Sequence, residues 1–389
     1  VLKGSAAILY GNVAPGGIVN MVTKQPKFNF GGEVSLRAGS YGLVKPAFDI
    51  YGPVSDKVAF RVIGIYEKAD SYRDVVQGER FYINPSFIFK LGKKTELLVQ
   101  GDYLINNTTP DFGIGTLNNT VIPDVPINSF FGTPWQYNNA KQTTATASLK
   151  HSINKSWSMN ATASYQLYKR DYYSTERIQA DSIGDWNRPL NKIQSQEDYV
   201  IGQVDFTGKF KTGNINHTLI TGVDADRYFT TTYAFNNPLI YDKINILDPN
   251  KYTARTDIPA ASKLRRVETP INRAGIFVQD LVSLSPKFNV LMGIRWSQQT
   301  SEPATTTYLT KDSIVKGIAK SDNAFSPRLG LVYKPSKTMS FFASYSNSFS
   351  VNNGTDVYGA ALSPSIIDQY EIGMKNDFLK GKLSANLTF

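Results

Sequence analysis

The 389-residue chain contains no cysteine and only two histidines, His151 and His217. The absence of thiols excludes a disulfide scaffold, thiolate zinc sites and cysteine nucleophiles. Two histidines are too few for a histidine-based metal site. His217 sits beside a short turn and His151 closes a strand-like segment at the same end, so neither suits a hydrolase site facing outward. There is also no apolar run approaching the roughly 18–20 residues that a spanning helix needs, and mean hydropathy is −0.27. A helical membrane protein is thereby excluded. A barrel is not, because its strands hide their apolar residues on one face.

What is present is aromatic and repetitive. There are 22 Tyr, 22 Phe and 4 Trp, a load suited to strands and to membrane interfaces. From Gly32 onward the chain reads as fifteen strand-like segments: 32–39, 43–52, 57–68, 79–91, 94–107, 143–153, 156–171, 197–211, 215–232, 271–284, 288–300, 324–335, 338–350, 367–379 and 382–389. Many alternate with period two. Trp157, Met159, Ala161, Ala163, Tyr165 and Leu167 share one face, opposite Ser158, Asn160, Thr162, Ser164 and Gln166. Val200, Val204, Phe206 and Phe210 oppose Gln203, Asp205, Thr207 and Lys209.

Alternation alone also fits a soluble sandwich, and the connections decide between the two. Every second one is short: 52–56, 92–94, 154–155, 212–214, 285–287, 335–337 and 380–381. Those between are mostly long: 69–78, 108–142, 172–196, 233–270, 301–323 and 351–366, with 40–42 the short exception. Sorting tight turns to one end and long loops to the other is the layout of an all-β, transmembrane, antiparallel up-and-down β-barrel. A Greek-key sandwich does not sort its loops this way.

The formal net charge of +10 is placed by the same layout. Twelve lysines (57, 90, 93, 94, 155, 209, 211, 287, 334, 337, 380 and 382) lie at the short-turn end, against Asp56, Glu96 and Asp377. That rim suits snorkelling toward lipid phosphates. It is not a patch with interleaved stacking aromatics, so no nucleic-acid partner is expected.

The first 26 residues, VLKGSAAILYGNVAPGGIVNMVTKQP, are small, apolar and turn-rich. A barrel of this size leaves a channel or holds a plug, and such a segment suits packing within the bore. Here the sequence resembles a specific family. Val1, Lys3, Gly4, Tyr10, Gly11, Gly16, Gly17, Val19, Asn20, Thr23, Lys24 and Pro26 follow the pattern that ends the plug of TonB-dependent outer-membrane receptors of the ferric-siderophore type. Ser5 stands where the family usually has Pro, and Lys3 where Arg is commoner. The stretches 326–349, 368–389, GIFVQD (275–280) and GIRW (293–296) are similar to family barrel strands.

The resemblance implies a plug end over 1–30 and a barrel over 31–389. The family barrel has about 22 strands, so about seven are expected beyond Phe389. The chain does not begin with Met and Phe389 falls within an alternating run, so it is expected to be an internal piece of a longer Gram-negative outer-membrane protein. The implied function is capture of a ferric siderophore at the extracellular face and import driven by the TonB complex, with iron carried only inside the ligand and no cofactor. Membrane lipid and lipopolysaccharide are expected partners. Import of cobalamin, haem or an oligosaccharide stays open, and the small histidine count disfavours haem. A passive porin is disfavoured by the first 26 residues.

Capture would fall to aromatic and basic loop residues through stacking and charge. The candidates are Phe112, Phe130, Phe131, Trp135 and Tyr137; Trp186 with Arg188; and the cluster Lys263, Arg265 and Arg266. Each has the alternative of packing its own loop or facing lipopolysaccharide. In related receptors the plug cation at Lys3 pairs with a barrel glutamate matching Glu371, which alternation turns toward the lumen. The alternative is an unpaired carboxylate in a wet bore.

Overall fold

In the computed structural model, the described residues are 2–3, 11, 17–352, 354–359 and 361–389, and the side chains of 2, 3 and 380 fall outside the description. Fifteen long strands form the wall: β1 Gly31–Gly39, β2 Leu43–Ser55, β3 Val58–Asp70, β4 Gln77–Lys90, β5 Thr95–Thr108, β6 Tyr137–Ser152, β7 Trp157–Thr175, β8 Asp185–Thr212, β9 Ile215–Asn236, β10 Ser262–Ser283, β11 Phe288–Ser301, β12 Lys320–Tyr333, β13 Met339–Ser350, β14 Ser365–Phe378 and β15 Leu383–Thr388. Each pairs antiparallel with the next, and the sheet order is that of a barrel. All fifteen segments read from the sequence are strands. No helix among the described residues is long and apolar enough to cross a membrane.

An odd number of alternating strands leaves β1 and β15 running the same way. No residue register joins them among the described residues, and both are exposed along nearly their whole length. The other fourteen junctions carry registers, from Gly31↔Tyr51 to Phe378↔Leu383, interrupted by shifts at Pro53/Ser55 in β2 and at Ala234/Phe235 in β9.

The sequence-based strand ends were too conservative on the loop side. Segment 172–196, read as a loop, is mostly the tops of β7 and β8, whose register runs unbroken up to Thr175↔Leu190. Segment 233–270 likewise narrows to 237–261 between β9 and β10, and contains a further strand, Ile240–Asn245, that pairs with β8. The membrane needs only about 9–11 residues of each strand, whereas β8 has 28. Above the bilayer both faces meet water, so hydrophobic alternation stops while backbone pairing continues.

The two faces are chemically distinct. Val34, Val200, Val223, Ile276, Ile294, Phe325 and Ile372 are exposed on the outside, where lipid belongs. The inside carries the polar partners: Thr146 and Ser164 hydroxyls 2.8 Å apart, and Asn160 Nδ2 donating to Asp205 at 2.9 Å. Near the short turns, Trp157, Phe210 and His217 stack in a row, with centroids 6.3 and 4.7 Å apart.

Candidate ligand mouth and luminal contacts

Within the N-terminal segment, Gly11 and the described residues 17–30 contact the inner wall. Its strand pair is made by Leu2↔Ile18 and Lys3↔Gly17. Gly11 is buried at φ +72°, with a Cβ built on it only 3.1 Å from Arg295 Nη2. Arg295 in turn lies across Gly275, where a Cβ would stand 1.9 Å from the guanidinium. Gly275 therefore makes room for the arginine, and Gly11 is favoured by its positive φ beside it. Freed of side chains on either side, Arg295 donates twice to Asp224, at 2.7 and 2.7 Å, and once to Ser297 Oγ at 2.7 Å. Gly11 thus lines a luminal cavity of about 160 Å³ with Tyr199, Asp226, Arg273 and Phe349.

Further along, Lys24 Nζ donates to Asp49 Oδ2 at 2.7 Å. Arg61 grips the same carboxylate from the wall, Nε to Oδ1 at 2.7 Å and Nη2 to Oδ2 at 2.6 Å, and its Nη1 donates to the Gln25 carbonyl at 3.0 Å. Thr23 Oγ1 donates to Gln100 Oε1 at 3.0 Å. The ammonium of Lys90 stands 3.4 Å from the ring centre of Phe28. The segment is fastened to β2, β3, β4 and β5 before it enters β1.

The Lys3 side chain lies outside the described residues, so the Lys3–Glu371 pair is neither present nor absent here. Gly4, Tyr10 and Gly16 also lie outside them. Glu371 sits on β14 opposite Ser344 and accepts from Gln369 Nε2 at 2.8 Å. Gly17 is in the short strand Gly17–Ile18, and Asn20 is exposed.

At the other end the loops fold together. One small core contains Ile178, Ala180, Trp186 and Ile246, with Leu117 and Phe131 packed on it. A second contains Tyr173, Leu190 and Tyr241, with Trp135 and Tyr137. Phe112, Phe130, Phe131 and Trp186 close around one small void. Trp186 is only 3 % exposed, while Phe112 is 38 % exposed. Arg188 donates to both oxygens of Asp242, at 2.6 and 2.5 Å, and to the carbonyls of Phe131 and Gly132. Trp135 Nε1 donates to Tyr241 Oη at 3.3 Å, and the Tyr137 hydroxyl accepts from Lys192. The structure therefore brings seven sequence candidates into one loop assembly, with Trp186 and Arg188 committed to holding it. The basic trio lies elsewhere, on β10. Lys263 stands 3.9 Å over the Tyr233 ring, Arg266 reaches Glu268 at 3.3 Å, and Arg265 is exposed.

Two groups at this end escaped the sequence reading. Asp185 accepts from Lys251 Nζ and Tyr252 Oη, both at 2.7 Å, and pairs with Lys243 at 2.9 Å. The Lys251 hydrogen bond, seconded by Lys243, Tyr252 and Asn245, holds its carboxyl far below the usual range. Inside the mouth, Lys45 meets Glu67 at 2.5 Å, with Arg80 3.9 Å from that same carboxylate and Arg37 directly opposite Lys45. Three cations around one acid make that wall basic. Their positions are 37, 45, 67 and 80, and only the register of β1 to β4 reveals that they meet. Among the described residues no group of three or more His, Asp or Glu could hold a metal ion.

A continuous up-and-down sheet with an apolar outer face, a polar bore and elaborate loops at one end defines a membrane-spanning receptor barrel. The chain belongs to the TonB-dependent receptor family: residues 83–389 match the family model described as TonB dependent receptor-like, beta-barrel. The family consists of receptors rather than enzymes. The chain is 28 % identical over its whole length to the metal-pseudopaline receptor CntO of Pseudomonas aeruginosa, covering 55 % of that protein. It is 25 % identical to the catecholate siderophore receptor Fiu of Escherichia coli K12, covering 98 % of this chain and 57 % of that one. The solved closed form of the Escherichia coli Fiu receptor superposes with a TM-score of 0.88 at 23 % identity, over all of this chain and 61 % of that one. The chain thus spans a little over half the length of the curated relatives it matches.

Proposed function

We propose that the protein is an outer-membrane receptor that captures an anionic metal chelate at its extracellular mouth and passes it inward by TonB-driven rearrangement of a luminal plug, of which residues 1–30 are the end. The observation that carries this is the seated N-terminal segment, held in the bore by Lys24–Asp49–Arg61 and by Gly11 against Arg295. A passive porin has no use for such a fastening. The basic wall of Arg37, Lys45 and Arg80 suits an anionic ligand, and among the sequence candidates Phe112, Lys263 and Arg265 are the exposed ones. A ferric siderophore is the ligand class most consistent with the relatives named for catecholate siderophores and ferrioxamine. A metallophore carrying another metal is the second reading, favoured by the 28 % identity to the metal-pseudopaline receptor.

Uptake of iron-55 as a ferric catecholate or ferrioxamine, and of a radiolabelled transition metal as its pseudopaline complex, tests this. Cells carrying the whole receptor should accumulate one of the three, and lose it on removal of either the receptor or TonB. Accumulation that persists without TonB would overturn active import. No accumulation of any of the three would overturn the metal-chelate reading.

A further inference from the structure

We infer that the outer wall of β6 to β9 holds a specific site for a phosphorylated glycolipid of the outer leaflet, with Lys141, Lys169 and Arg227 as the phosphate ligands. The inference rests on the outer-membrane placement and not on the import reading.

Lys141 and Lys169 are directly opposite one another in the β6–β7 register. Like charges in that position repel and destabilise a sheet. Strict alternation turns both outward. Their even-numbered neighbours Thr146 and Ser164 bond across the inside, and Ala145 and Tyr165 share the lysines' face. Arg227 is outward by the same rule, because Asp224 and Asp226 line the luminal cavity. All three cations are exposed, and none of their side chains forms an ion pair or hydrogen bond with another described residue. Of the acids nearby, Asp171 pairs with Lys192 at 2.7 Å, while Asp198 lies on the same face between the rows of Lys169 and Arg227 and accepts only from the neutral Tyr165 Oη and Gln196 Nε2, both at 2.8 Å, so three cations stand against one unpaired carboxylate.

Their height is what selects the ligand. Lys169 stands twelve residues above Trp157 at the foot of β7, Arg227 twelve above Ile215 at the foot of β9, and Lys141 eleven above Ser152 at the end of β6. A tilted strand crosses the hydrocarbon in about 9–11 residues. The three cations therefore share the level of the outer headgroups.

Directly below them the same strands form an apolar groove of about 530 Å³, lined by Leu97, Ala147, Ala161, Ala163, Gly202 and Ala225 among others. Small side chains leave room where the rest of the wall carries Val, Ile and Phe. An acyl chain fits such a groove, with its phosphate at the cations above. Phosphate and acyl chain on one molecule, in that order from the outside, describe a phosphorylated lipid of the outer leaflet.

The test is native mass spectrometry of the full-length receptor in detergent, titrated with bis-phosphorylated lipid A, dephosphorylated lipid A and phosphatidylglycerol. The bis-phosphorylated lipid should bind at least about tenfold more tightly than the dephosphorylated one. Lys141→Gln and Lys169→Gln should each weaken it about fivefold, in line with the attraction of one cation near an anionic surface. Gly202→Leu separately tests the groove, because a Cβ there meets nothing within 4 Å and the fold should tolerate it. It should weaken both forms of lipid A alike. Retained heat-modifiable migration in gels shows that each variant is folded. A Lys141→Gln/Lys169→Gln receptor that binds like the wild type would overturn the site. Phosphatidylglycerol binding as tightly as lipid A would overturn its assignment to the glycolipid. Neither measurement involves the imported ligand, so its outcome is independent of the import assay.

Discussion

At the residue scale, buried charge is held by partners that are far apart in sequence. Asp49 and Arg61 have side chains 13 % and 7 % exposed, whereas Lys24 is 60 % exposed. Removing one partner of a buried pair leaves an uncompensated charge. Arg61→Ala is therefore expected to destabilise the barrel by about 3–5 kcal/mol, and Lys24→Ala by no more than about 1 kcal/mol, read from urea unfolding in detergent. Equal effects would show that the N-terminal lysine supports the wall as much as the arginine does. Gly275→Ala drives a methyl into Arg295 and is expected to cost about 1–3 kcal/mol, as overpacking does. The comparison with Gly202, where a Cβ is free, separates steric need from general glycine content.

At the element scale, three of the extracellular loops pack as one folded unit rather than as independent tethers. The tops of β7 and β8, the strand Ile240–Asn245 and residues 109–136 share two small cores. Arg188→Lys keeps the charge but loses the fork that grips both oxygens of Asp242. It should raise the rate of proteolysis in 109–136 and in 237–261 together, and cleavage confined to one loop would argue against co-folding.

The Asp185 cluster belongs to the same unit and has a definite pH response. The carboxyl of Asp185 is depressed in the fold, so its contribution is complete above the ordinary aspartate value of 3.8. It is lost as pH falls through the lower folded value. Protease resistance of the loops should therefore be level from pH 8 to pH 5 and fall only below about pH 4. Asp185→Asn should remove that acid-dependent step.

At the scale of the whole molecule, the short turns and the long loops lie on opposite sides of the bilayer. These 389 residues contain no cysteine, so within them an introduced cysteine is the single thiol. Val357→Cys, at a position 92 % exposed in the 351–364 loop, should react with an impermeant maleimide on intact cells. Ser336→Cys, in the turn between β12 and β13, should react only after the outer membrane is opened. The reverse pattern would invert the barrel.

Much of this molecule is visible along the chain itself. A strand turns its side chains to alternate faces, so Trp157 to Leu167 records both its conformation and its lipid-facing side within eleven residues. Turn lengths add the order of the strands and the two ends of the barrel. These are local quantities, and a linear sequence records local quantities. Likewise the motif around Gly11, Gly17 and Asn20 marks the N-terminal segment. Which residues meet across the barrel is another matter. Asp224 finds Arg295 through the accumulated registers of β9, β10 and β11, and Arg188 finds Asp242 only once two loops have packed together. Trp186 and Arg188 suit a ligand by residue type and loop placement; the tertiary structure adds that both hold the loop core together. The same registers decided the opposite fate for Lys141 and Lys169, which they align as neighbours on the outer face without an anion between them. Periodicity determines which face a side chain takes, and only the summed registers of the wall determine what that side chain meets.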